Sequence, residues 1–116
     1  MRVGDYQQQA HSTAVYPEET LNLTAGQVYV LMSLGGESGE LLNLTKKALR
    51  GDFGDNPSLN ATFMEKLEGE LGGILWYVAE TCSAFGLSLE GVADENLRKL
   101  ADRAERGVIK GSGDDR

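Results

Sequence analysis

The sequence predicts an all-α fold, and three observations carry that reading. Apolar residues recur at helical spacing over long stretches, capping and turn residues separate those stretches, and no run alternates as a half-buried strand would. Four helices are expected, at about 5–16, 25–50, 57–85 and 88–106, in one domain spanning residues 1–116.

The first helix places Tyr6, Ala10, Thr13 and Ala14 on one face and should end before Pro17. His11 falls off that face and reads as an exposed histidine or, alternatively, a ligand contact. Residues 17–23 read as a linker. Thr24-Ala25-Gly26-Gln27 then has capping-box spacing, so a long second helix starts there and stops at Gly51-Asp52-Phe53-Gly54. Its apolar face is marked by Leu31, Leu34, Leu41 and Leu49.

Asn56 before Pro57 predicts the cap of a third helix whose buried positions are Phe63, Leu67, Leu71, Ile74, Val78 and Phe85. Trp76 and Leu75 lie on the opposite side. Large apolar residues on two sides need more cover than one neighbour supplies, so the bundle is expected to be completed by oligomerisation, as a homodimer or dimer of dimers. The short Gly86-Leu87-Ser88 link predicts that the fourth helix returns antiparallel, capped by Ser88 and stopped by Gly107. It should bury Leu89, Val92, Ala93, Leu97, Leu100 and Ala104. Asp94 with Arg98, Glu95 with Lys99, and Asp102 with Arg106 have the spacing of solvent-side pairs. Asn96 and Arg103 sit at the margin of the apolar face. The glycine-rich tail after Val108 is expected to be flexible.

Composition narrows the function. At 116 residues and 41% hydrophobic side chains the chain can bury a modest core. A net charge of -7 without a basic run disfavours a nucleic-acid backbone as partner. Cys82, the single cysteine, excludes an internal disulfide and a thiolate zinc cluster, and suits a reducing cytoplasm. No apolar run approaches membrane-spanning length, and no signal-peptide pattern opens the chain.

The chemistry is concentrated in two stretches. Glu37 and Glu40 share one helical face, with Lys47 continuing the stripe, and Glu70 lies at the border of the third helix's apolar face beside Lys66 and Tyr77. Gly35, Gly36, Gly39, Gly69, Gly72 and Gly73 all fall within these two helices, at about 0.8–1 kcal/mol each relative to alanine. Close approach of the two backbones would offset that cost and bring the three glutamates together. Converging carboxylates repel one another, and a hard divalent cation with oxygen ligands neutralises them, which points to Mg²⁺.

Gly36-Glu37-Ser38-Gly39-Glu40 with Lys46-Lys47, Glu70-Leu71-Gly72 with Leu75-Trp76-Tyr77, and Asn96-Leu97-Arg98-Lys99-Leu100 with Arg103 resemble the MazG-like, all-α nucleoside triphosphate pyrophosphohydrolase family. Asp5-Tyr6-Gln7 and the Gly111-Ser112-Gly113-Asp114 tail are similar to it too. The resemblance covers most of the chain. It departs at Gly73, where the family closes its Glu-x-x-Asp pair with aspartate.

The resemblance implies a helical bundle of the MazG-like type and Mg²⁺-dependent hydrolysis of a nucleoside triphosphate to the monophosphate and pyrophosphate. Glu37, Glu40 and Glu70 would be both metal ligands and catalytic residues. Lys47, Tyr77, Asn96, Lys99 and Arg103 would contact phosphates or sugar, and His11 and Trp76 would approach the base. Gly73 motivates the alternative of a weak or inactive nucleotide-binding homologue, and the apolar third helix that of a purely structural helical oligomer.

Overall fold

The computed structural model describes residues 1–19 and 21–116. The linker expected over 17–23 therefore lies partly, at Thr20, outside the described residues. Four α-helices are present, α1 (Val3–His11), α2 (Ala25–Leu49), α3 (Ala61–Ala84) and α4 (Leu89–Arg106), with no strand among the described residues.

α1 ends earlier than expected. The Ser12 hydroxyl donates to the Gln9 carbonyl at 2.7 Å and the Thr13 hydroxyl to Ala10 at 2.8 Å. Both side chains compete with the backbone for its acceptors, and the helix ends at His11, six residues before Pro17. Every residue of α1 is exposed.

α2 begins as its capping box requires: Gln27 N–H donates to Thr24 Oγ1 at 3.1 Å, and Thr24 N–H to Gln27 Oε1 at 2.9 Å. The other half of the Gln27 amide donates to the Ala84 carbonyl at 3.0 Å, tying the start of α2 to the end of α3. The two helices run antiparallel along most of their length, and this seam is the one extensive helix–helix interface of the described chain. Leu44 and Cys82 are buried in it, with Leu34, Leu41, Phe63, Leu67, Ile74 and Val78 half-buried. Leu31, Leu49 and Leu71, expected on the buried stripes, are exposed, because the seam is narrower than the apolar arcs that flank it.

The start of α3 also differs from expectation. The Asn56 side chain accepts from the Ser58 hydroxyl at 2.6 Å, so it does not cap, and Pro57–Leu59 form a single 3₁₀ turn. Asn60 caps instead, accepting from Phe63 N–H at 2.9 Å. Phe53 and Phe63 close this end of the seam with ring centroids 5.4 Å apart.

Ser88 and Gly107 delimit α4 as expected, Gly107 adopting the left-handed conformation at φ 71°. α4 does not pack back along α3 as expected: the two helices touch only sparsely, and the apolar side of α4 stays uncovered. Leu89, Val92, Ala93, Leu97, Leu100 and Ala104 are all exposed, Leu97 to 63%. The radius of gyration, 20.1 Å, far exceeds the roughly 13 Å of a close-packed chain of this length. Asp102–Arg106 forms the expected ion pair at 2.9 Å, but Glu95 pairs with Arg98 at 2.6 Å, leaving Lys99 free to turn elsewhere.

Lys99 turns to the tail, which hydrogen bonds fold into a hook. Arg116 donates to the carbonyls of Val108 and Ile109, each at 3.2 Å, and Asp114 is held by Lys99 and Arg103. Glycine content predicted flexibility. In the folded chain the same glycines permit the bend: Gly113 sits at φ +83°, and a Cβ on Gly111 would collide with Arg116.

Candidate metal and nucleotide site

The antiparallel register of α2 and α3 decides which side chains meet. Gln27 faces Ala84 at one end, and midway along the seam Glu37 faces Gly73 while Glu40 faces Glu70. Glu37, Glu40 and Glu70 each offer one carboxylate oxygen to a group lying within 4.8 Å of one another. Glu37 and Glu70 are half-buried and Glu40 is exposed.

Electrostatics follow from this geometry. Partial burial pushes the Glu70 carboxyl above its ordinary value, and the charge of Glu40, a hydrogen bond shared with it, and the charge of Glu37 push the same way, against Lys66. The donor set is all oxygen, comes from two rigid helices and is mutually repulsive. Those properties fit a hard divalent cation.

Gly73 adjoins the cluster. A Cβ built there would lie 2.5 Å from Glu37 Oε2, so the Glu37 carboxylate occupies the space into which a side chain at 73 would grow. The other helix glycines behave differently. Gly35, Gly36, Gly39, Gly69 and Gly72 meet nothing within 4 Å, so close approach of α2 and α3 does not account for them.

A cavity of about 490 Å³ opens beside the glutamates, lined by Glu40 and Glu70, by Lys47 from α2 and Lys66 from α3, and by Asn43 and Phe53. Lys47 thus stands where its stripe put it. Lys66, Asn43 and Phe53 were not among the candidate site residues. The sequence places Lys66 beside Glu70 without giving it a role, and Asn43 lies one turn after Glu40, a spacing that could have found it. Phe53 reaches the cavity from the interhelical loop, which carries no periodicity.

The remaining candidates are dispersed. Tyr77 lies beside Tyr29 and Ser33, and its pKa is raised chiefly through its interaction with the Tyr29 hydroxyl, with partial burial adding to it. Trp76 packs edge-on to Tyr77 at 4.8 Å but is 57% exposed on the outer side of α3. His11 lies on exposed α1 and Asn96 on exposed α4. Lys99 and Arg103 are engaged by Asp114. None of these four lines the cavity beside the glutamates.

The MazG nucleotide pyrophosphohydrolase domain matches residues 27–108, from the first turn of α2 to just past α4. The chain belongs to the MazG nucleotide pyrophosphohydrolase family. Both glutamate-bearing helices lie wholly or almost wholly within the matched span. The chain is also 42% identical over 117 residues to Gene 37 protein of Mycobacterium phage L5, covering 100% of each. No solved structure matches it. Among the described residues no helix is long and apolar enough to cross a membrane.

Proposed function

We propose that this MazG-family chain hydrolyses a nucleoside triphosphate, canonical or modified, to the monophosphate and pyrophosphate, with Mg²⁺ held by Glu37, Glu40 and Glu70. The observation that carries the reading is the convergence of these carboxylates from two helices beside a cavity that also holds Lys47 and Lys66. Carboxylates alone would repel a triphosphate, and lysines alone would not place a reactive centre. Together they match the alternating charge of a metal–triphosphate complex.

When bound, the cation would neutralise charge developing on the phosphate oxygens. The two lysines bind and orient the phosphate chain from opposite helices. One carboxylate of the cluster aligns a water at the α-phosphorus and takes its proton. The new bond joins the water oxygen to the α-phosphorus; the bond from that phosphorus to the bridging oxygen breaks, and pyrophosphate leaves with that oxygen. A panel of triphosphates incubated with and without Mg²⁺ tests this. Magnesium-dependent pyrophosphate release is the expected result, and orthophosphate as first product or metal-independent turnover would refute it. Nucleotide binding without turnover would instead favour a binding homologue, the reading that Gly73 motivates.

The same proposal includes a homodimer or dimer of dimers. It is supported by the exposed leucines of α4, by Leu75 and Trp76 on the outer side of α3, and by a radius of gyration too large for a self-contained core.

A further inference from the structure

Arg103 is the one charged residue buried among the described residues, 7% exposed, although it stands on α4, which touches the rest of the bundle only sparsely, at α3. Its own tail covers it. Arg103 donates to Oδ1 and to the main-chain carbonyl of Asp114, and Lys99, one turn earlier, donates to Oδ2 at 3.0 Å. One carboxylate therefore bridges two cations, an arrangement that a phosphate group reproduces with more charge.

The hook delivers Asp114 to this place by dedicated geometry. Gly113 supplies the left-handed bend, Gly111 leaves room for Arg116, and Arg116 fastens the loop to the carbonyls of Val108 and Ile109. Yet the fastening is cheap to undo. Residues 109–115 are exposed, the Asp114 side chain is 73% exposed, and no apolar residue anchors the segment in a core. Ion pairs so open to water are individually weak. The other arginines of α4 form their ion pairs on the same helix, Arg98 with Glu95 and Arg106 with Asp102, although Arg106 also donates to the Arg116 carbonyl of the tail at 2.8 Å. Lys99 and Arg103 differ in having their only carboxylate partner among the described residues, Asp114, on a segment that can move away.

We propose that the C-terminal hook is a displaceable latch: Asp114 occupies an oligophosphate seat on Lys99 and Arg103, and a pyrophosphate group enters that seat only by displacing residues 108–116. The latch is independent of whether the glutamates hold a metal, so it is tested with metal removed. Binding of inorganic pyrophosphate to the full-length chain in chelator is measured by calorimetry, and protection of the tail amides by hydrogen exchange. Asp114→Asn should bind pyrophosphate about fivefold more tightly, the scale set by losing two ion pairs whose carboxylate is open to water. Adding Lys99→Met to that variant should remove the gain, and saturating pyrophosphate should strip protection from 108–116 in the unaltered chain. Equal or weaker binding by Asp114→Asn, a gain that survives Lys99→Met, or a tail that keeps its protection would each overturn the latch. A chain that passes these tests but releases no pyrophosphate from triphosphates keeps the latch and loses the proposed activity.

Discussion

The α2–α3 seam and α4 are built from similar material and end differently. Both carry apolar stripes at helical spacing, but the seam covers much of its stripe and aligns three carboxylates across it, whereas α4 leaves four large apolar side chains in water and buries an arginine. The contrast teaches that helical periodicity specifies a face, not the surface that covers it. For the seam the cover lies in the same chain. For α4 the described chain supplies little, which is why the assembly proposed above concerns α4 and the outer side of α3, and the chemistry concerns the seam.

Substitutions can break this division. Glu70→Gln, in the seam, should lower triphosphate hydrolysis roughly a thousandfold, corresponding to a few kcal/mol of lost transition-state charge stabilisation. Its helical circular dichroism and sedimentation should match the unaltered chain. Loss of fold in this variant would mean that the carboxylate serves structure instead. On the other side of the comparison, Leu97→Glu and Trp76→Glu should yield monomers or insoluble protein, since each places an unpaired charge in a proposed apolar contact. A compact monomer in the unaltered chain at micromolar concentration, read by sedimentation, would remove the premise.

A subtler effect is expected at Gly73. Gly73→Asp restores a fourth carboxylate, and the Glu37 side chain that must give way does so with its flexible end. The Mg²⁺ concentration for half-maximal activity should fall severalfold. Gly73→Ala serves as the control, because it relieves the helix-interior glycine without adding a ligand. An equal fall in both variants would assign the effect to the backbone.

The smallest expected signal is in pH dependence. The folded chain raises the Glu70 pKa, so the metal-free native state holds that proton more firmly than the unfolded state does. This contribution to stability is greatest below the unfolded pKa and is lost as pH rises through the raised one. Melting temperatures in chelator should decline across that window, and less so in Glu70→Gln. Metal binding needs the ionised form, so metal affinity should rise over the same range with release of a proton. A flat profile for affinity would separate Glu70 from the ligand set.

Local chemistry was legible without the fold. The Thr24 capping box, the Ser88 cap, the Gly107 stop and the shared stripe of Glu37, Glu40 and Lys47 all rest on spacings of three, four or seven residues within one helix. The errors at Ser12, Asn56 and Glu95 were local too. In each, a side chain had two available partners and took the one not counted: Ser12 a helix carbonyl, Asn56 the Ser58 hydroxyl, Glu95 the nearer Arg98.

By itself the sequence determined that four helices form, where most of them stop, and that two of them carry acidic clusters, because each of those outcomes is fixed by residues within a turn or two of one another. Tertiary structure alone decided that Glu37 leans over Gly73, that Phe53 joins Lys47 and Lys66 around one cavity, and that Asp114 returns to cover Arg103. Those contacts depend on the register between antiparallel helices and on how a loop and a tail close, and such long-range choices carry no periodic signal along the chain.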